Sequence, residues 1–280
     1  MIKELQFRVN LIEERSIKKT LFSILILINF TFLAQNSYNI KFELVNFTNV
    51  KYNDFAPTVY KDGILFVSDR DGEFYNLYYS DFKNNLKKIK IKKQKHHIGQ
   101  VFYDKKNKLI YLTKSSGKKS SNNKFNLAVY KGKIKKNKIF DLKKLSFCNP
   151  EFSYGHAQIL NNKLLIHTNE GGVYSLNEYS LKNDQWVKTR TIFTDTSPIL
   201  NPIFKDHSTI IFASKRIGGI GGIDLYKITK SKEEWSKPIN LKKFNTPFDD
   251  LSLIFTDKNK GYISSNRIDN KDHIFKFSFQ

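Results

Sequence analysis

From residue 40 onward the apolar residues of this 280-residue chain fall in short runs, cut at regular intervals by clusters of Gly, Asn, Asp and Lys. Five stretches share one pattern: KDGILFVSDRDGEFYNLYYSDF from Lys61, KNKLIYLTKSSGKKSSNNKFNLAVYKGKI from Lys105, NNKLLIHTNEGGVYSLNEYSL from Asn161, DHSTIIFASKRIGGIGGIDLYKITK from Asp206, and KNKGYISSNRIDNKDHIFKFSF from Lys258. Each has a polar turn, an apolar strand ending near Ser or Thr, a polar loop and a second strand, which predicts a β-hairpin. A further apolar segment precedes each hairpin (APTVY, GQVFY, HAQIL, NPIFK, LSLIF), and another follows most of them, such as LKKIKI, KKLSF, TRTIF or KPINLKKF. Four strands recurring at such a period are the blade of a β-propeller. The pattern predicts an all-β, five-bladed β-propeller, with six blades as the alternative count.

The two ends of the repeat region complement each other. The last blade stops at Gln280 after its third strand, which leaves the backbone donors and acceptors of that strand unpaired. IKFELVNF, Ile40 to Phe47, resembles the outer-to-inner passage PINLKKFN of the fourth blade. The expectation is that residues 40–47 complete the last blade and make residues 40–280 one closed propeller domain. Ahead of it, Lys18 and Lys19 precede the apolar run TLFSILILINFTFLA. That run is shorter than the roughly 20 residues of a spanning helix, so residues 1–35 are expected to be a signal peptide or leader. Export to the periplasm or the outer membrane follows, with the cell surface or secretion as further destinations. An uncleaved leader is the alternative, and the one expected route to membrane association. No cysteine follows the run, which excludes a lipoprotein anchor.

Composition supports strands: 24 Phe and 14 Tyr stand against a single Met. The formal charge of +22 raises the question of a polyanion. Only six of the cations are Arg, the residue that reads bases and phosphates with a planar fork, and the rest are Lys. No specific nucleic acid is therefore expected, and most of the charge is read as a general basic surface. The densest part is KNNLKKIKIKKQKHH, where Lys87, Lys88, Lys90, Lys92, Lys93 and Lys95 alternate with Ile in the manner of an outer edge strand protected against aggregation. It is also the candidate patch for an anionic partner.

The run from Asn201 to Asn266 resembles the TolB-type, WD-like propeller repeats of Bacteroidetes envelope proteins. The likeness is carried by Ser214, Lys215, Arg216, Gly218, Gly219, Gly221, Gly222, Asp224, Leu225, Tyr226, Trp235, Pro238, Asn240, Leu241, Asn245 and Thr246, and by Ser265, Asn266 and Arg267 in the next blade. It is specific in the fourth and fifth blades, weaker in the first and third, and slight in the second. The resemblance implies a cell-envelope setting, with relatives in type IX secretion and gliding, where such repeats sit beside an OmpA-like domain. No such companion is expected within these 280 residues, which puts direct peptidoglycan anchoring in doubt.

Chemistry has few footholds. SKRIGGIGGIDLY lacks the helix and the terminal G-K-[ST] of a phosphate loop, so Gly218 to Gly222 are expected to turn with positive φ and Asp224 to bond turn amides. The histidines lie at 96, 97, 156, 167, 207 and 273 without metal spacing, although His156 and His207 are near inner strands and are candidates to face the channel. Asp69, Asp71 and Glu73 have the spacing of a calcium loop without its terminal Glu, and are read as a polar turn. Asp249 and Asp250 are the acid pair to mutate should activity be found, with capping of turn amides as their structural role. Cys148 is the lone cysteine and has no legible activating partner. No catalytic residue, metal or cofactor is expected. Trp186 and Trp235 occupy equivalent places and are read as packing between blades. The function expected is a non-catalytic, exported scaffold for an envelope protein. The alternatives are a hydrolase or lyase acting on carbohydrate or peptide in the channel, and a basic surface for polyanions.

Overall fold

The computed structural model describes residues 39–83, 85–92 and 96–280; the expected leader, residues 1–35, lies outside them, as do Lys93 and Lys95. Strand β1 (Ile40–Leu44) precedes the first blade, which runs β2 (Asp54–Tyr60), β3 (Gly63–Ser68), β4 (Asn76–Ser80), β5 (Leu86–Lys88). Next come β6 (Lys90–Ile91) and the second blade, β7 (Ile98–Asp104), β8 (Leu109–Lys119), β9 (Phe125–Lys135) and β10 (Lys138–Lys144), with β6 added outside β10. The third blade is β11 (Tyr154–Leu160), β12 (Lys163–Thr168), β13 (Tyr174–Lys182) and β14 (Gln185–Asp195). In the fourth, β15 (Ile199–Asp206), β16 (Thr209–Ser214) and β17 (Asp224–Ser231) are flanked by two short pieces, β18 (Glu234–Trp235) and β19 (Ile239–Asn240), both paired to β17. The fifth is β20 (Asp250–Asp257), β21 (Lys260–Ser265) and β22 (His273–Phe279), completed by β1. The first strands of neighbouring blades touch all the way round: β2 with β7, β7 with β11, β11 with β15, β15 with β20, and β20 with β2. The result is a closed five-bladed β-propeller.

The sequence pattern follows from this geometry. Second strands such as GILFVS in β3 and TIIFAS in β16 are covered on both faces by adjacent blades, so they are continuous apolar runs. Outer strands keep one face in water, and in β14 buried and exposed positions mix. The core lies between blades. Tyr111, Ala128, Leu145, Tyr154, Leu164 and Trp186 join the second blade to the third, while Val45, Ile64, Phe66, Tyr78 and Ile274 join the fifth to the first. Each fully buried Leu, Ile or Phe contributes about 1.5–3 kcal/mol. Trp235 packs against the cluster between the third and fourth blades.

β1 pairs antiparallel with β22, from Ile40 opposite Phe279 to Leu44 opposite Phe275. The Val45 amide extends the ladder by one bond to the Ile274 carbonyl (3.1 Å). Asn46 and Phe47 already turn away, and Phe47 stacks on Phe66 at 4.6 Å.

The basic run departs from the expected single edge strand. Leu86–Lys88 edges the first blade, but at Ile89 the chain changes sheets. Ile89 is buried in the cluster between the first two blades; its amide bonds the Leu77 carbonyl (2.8 Å), and the next amide, of Lys90, bonds Asn137 of the second blade (2.8 Å). Burial of this one isoleucine pulls the lysines on either side onto different blades.

Candidate functional site

Around the axis every first strand carries a two-residue bulge, at 56–57, 99–100, 156–157, 201–202 and 252–253. Four of the five leading residues, Ala56, His156, Asn201 and Ser252, adopt positive φ, and the fifth is Gly99. A bulge frees a backbone amide from its ladder, and here those amides reach the neighbouring blade. The Ala56 amide bonds Ser264 Oγ (3.1 Å), the His156 amide bonds Thr113 Oγ1 (2.9 Å), and the Asn201 amide bonds His156 Nδ1 (2.9 Å). The Asn201 side-chain amide in turn donates to Ser252 Oγ. Polar side chains on the axis thus hold the ring together.

His156 accepts at Nδ1, so its neutral ring carries the proton on Nε2. It stacks on His167 with centroids 4.6 Å apart and planes 13° from parallel. Gly155 admits this stack, because a Cβ there would come within 2.8 Å of His167 Nε2. Burial pushes the His167 ring down to about 4; burial and the neighbouring His167 push His156 well below the usual value. Two neutral stacked rings cost less than two buried charges. His207, the other candidate for the channel, lies instead at the exposed turn after β15, because Asp206 ends that strand by accepting the Ser208 amide (2.9 Å). The opposite part of the channel opens as a cavity of about 240 Å³ lined by Thr58, Phe102, Gln158, Phe204, Lys205 and Phe255, among others.

The acids near the axis are held by arginines. Asp54 and Asp250, both fully buried, accept Arg70 Nη2 and Arg267 Nη2 at 2.6 Å, while each arginine also bonds the serine two residues before it, Ser68 or Ser265. Arg267 covers the Phe42 ring at 4.4 Å, so the closing strand β1 packs on this ion pair. Asp250 also accepts the Thr246 amide and hydroxyl, and the Asp249 amide bonds Asn266. In the fourth blade Arg216 pairs with Asp195 and lies over Tyr226. Asp69 bonds Asn53 and Asp71 pairs with Lys88, so the acids of SDRDGE diverge to separate partners. Cys148 is buried between the second and third blades, and burial raises its thiol to about 11, away from nucleophilic character.

The glycine turn is built differently from its expected form. Only Gly218 has positive φ (84°). The other three are needed for close approach: a Cβ at Gly221 would overlap the Phe248 carbonyl, one at Gly219 would meet Asp224 at 2.7 Å, and one at Gly222 would meet Asp249 at 2.5 Å. Asp224 accepts the Ile220 amide (2.5 Å), the Gly221 amide (2.9 Å) and the Asn240 side chain (2.8 Å). Asn245 then bonds both the amide and the carbonyl of Leu225 (2.8 and 3.0 Å), standing in for the ladder that the two-residue β19 leaves short.

One junction is less settled in charge. Asp272, on the loop where the fifth blade meets the first, is raised to about 6 by burial, with Asp249 and Asp69 adding repulsion. On the outer side, a groove of about 880 Å³ runs along β6 and β10. Lys90 and Lys92 reach it from the predicted basic run, whereas Lys87 and Lys88 stay on the first blade. Lys135, Lys136 and Lys138, which sequence reasoning missed, line it from the second blade; their only signal is the run KIKKNK.

No family model and no curated protein matches this sequence. Solved structures do match the ring. An endo-arabinase from Bacteroides thetaiotaomicron aligns with a TM-score of 0.57 over 88% of this chain and 98% of its own, at 13% identity. The soluble aldose sugar dehydrogenase of Escherichia coli aligns with a TM-score of 0.51 over 86% of this chain and all of its own, at 9% identity. The likeness is one of fold. TolB from Acinetobacter baumannii is looser, with a TM-score of 0.48 and 12% identity over 82% of this chain and 56% of its own, and decides nothing further. Propellers carry unrelated functions on one architecture, so the role must come from the residues. Among the described residues no helix is long and apolar enough to cross a membrane.

Proposed function

We propose that this propeller is an exported, non-catalytic scaffold that binds a protein of the cell envelope, in the setting of secretion or gliding implied by its repeat motif. One observation carries the reading: the acids that open two of the first strands, Asp54 and Asp250, are consumed by Arg70 and Arg267, and the stacked histidines, His167 buried and His156 half-buried, are held below the usual histidine value. A hydrolytic channel needs carboxylates facing substrate, and these face arginines instead. Rigid blades with loops at both ends of the ring suit a partner that docks across several of them. Affinity capture of the tagged protein from gently solubilised envelopes, washed at low and then high salt, tests this. A defined protein retained at high salt is the expected result; binding that is wholly lost in salt would contradict it.

Asp272 favours a second reading, a hydrolase acting on carbohydrate. A carboxyl group raised to about 6 by burial beside other carboxylates has the character of a general acid. Polysaccharide cleavage that disappears in Asp272→Asn would establish it; no cleavage across a panel of glycans would dismiss it.

A further inference from the structure

The groove on the outer side of the second blade combines three properties. Its rim is cationic: Lys90, Lys92, Lys135, Lys136 and Lys138 are all exposed, and among the described residues none of them forms an ion pair. Its floor is apolar, with Ile91 half-buried and Phe140 40% exposed. Its wall is an open sheet edge. β6 pairs with β10 at Lys90–Ile91 against Lys138–Ile139, and among the described residues β10 has no further outer neighbour toward Lys144. An irregularity between Phe140 and Lys143, with positive φ at Asp141, bends the strand there.

We infer that this groove docks an extended, acidic segment of a partner protein by adding it as a strand beside β6 and β10, with alternate apolar side chains on Ile91 and Phe140 and alternate carboxylates on the lysines. The inference rests on the scaffold reading and names the surface and chemistry of its partner. Strand addition supplies backbone bonds for affinity, and side chains alternating every second residue supply the selectivity. Exposed lysines normally guard an edge against pairing. Here they surround an apolar floor, so they exclude neutral and basic strands while attracting an acidic one. A bilayer surface is flat and brings no backbone partner to a strand edge; a concave cleft along the outer edge of a blade matches an extended peptide.

The test is a titration of the full chain with two fluorescent peptides, one alternating Glu and Leu and the other Glu and Ser, and with vesicles of mixed phosphatidylcholine and phosphatidylglycerol. The Glu–Leu peptide is expected to bind at least several-fold more tightly than the Glu–Ser peptide. Lys90→Gln with Lys138→Gln is expected to weaken it about tenfold, the effect of two partly screened charge contacts. Phe140→Ser is expected to abolish the preference for Leu over Ser. Removing the same charge elsewhere, by Lys105→Gln and Lys106→Gln, is expected to leave binding unchanged. All these positions are exposed, and unchanged thermal midpoints will show that the variants fold. Equal binding of both peptides, equal loss in the control variant, or binding to vesicles without peptide binding would each overturn the assignment. If the peptides fail while envelope capture at high salt persists in the lysine variant, the groove is wrong and the scaffold stands. If capture also fails, the scaffold reading falls with it.

Discussion

The fifth and second blades follow the same strand order but are held by different chemistry. In the fifth, Asp250, Thr246, Arg267, Ser265 and Phe42 form one connected network, and a strand from the far end of the chain packs on it. In the second, the first strand begins with the apolar Ile98, which offers an arginine no carboxylate. That blade instead gains length: β8 and β9 have 11 residues each, Lys114 lies over the Tyr130 ring at 4.7 Å, and β6 is borrowed from the preceding segment. Side-chain networks demand particular residues at particular spacings, and leave a motif. Backbone length demands only strand-compatible residues, so the surface of the second blade is free to vary. The motif therefore marks scaffold, and the blade with the faintest motif has room for a binding surface.

The sharpest way to break this comparison is to remove one partner from a buried pair. Arg267→Ala leaves the fully buried Asp250 uncompensated and is expected to cost about 3–5 kcal/mol in denaturant unfolding. Lys114→Ala in the second blade, which removes only a cation–π contact, is expected to cost about 0.5–1 kcal/mol. Similar losses at the two sites would show that the second blade depends on a network too.

The axial histidines give the next largest effect. Their folded values lie below that of a free histidine, so on acidification the unfolded chain takes up protons first. For His167, lowered to about 4, the contribution is full above about pH 6.5 and declines toward pH 4 by about 1.4 kcal/mol per pH unit, and His156 acts in the same direction. His167→Leu is expected to flatten the profile. Asp272, raised to about 6, acts in the opposite sense: its contribution is full below the free-carboxyl range and is lost as pH rises through 6. Asp272→Asn is accordingly expected to steepen the loss of stability on acidification. Chemical denaturation at several pH values measures both.

Smaller still, Gly221→Ala forces a methyl group against the Phe248 carbonyl and is expected to cost about 1–3 kcal/mol. Gly117→Ala, at the open irregularity of β8 in the second blade, meets only the strain of positive φ, about 1 kcal/mol. Replacing Lys87 by Gln is expected to change stability by less than about 0.5 kcal/mol.

The blade count is legible because strands such as GILFVS and TIIFAS are buried on both faces and the same four-strand unit recurs. The axis is not. His156, Asn201 and Ser252 occupy equivalent bulges with different residue types, and their bonds run between blades, so no local pattern announces them. The sheet change at Ile89 is hidden inside an even alternation of Ile and Lys, since only ring closure decides which isoleucine is buried. Lys135, Lys136 and Lys138 join Lys90 and Lys92 for the same reason: closure brings β6 beside β10. The roles of Gly219, Gly221 and Gly222 depend on Asp224, Phe248 and Asp249, which no turn rule supplies.

The central claim is that the axis is structural and the outer surface binds. Hydrogen exchange of the propeller, alone and with the partner recovered at high salt, tests it directly. The account predicts new protection along Lys90–Ile91 and Lys138–Lys144, with the amides of His156 and Asn201 already protected in the free protein and unchanged on binding. Protection gained at the axial amides, with none at the outer edge of the second blade, would contradict it.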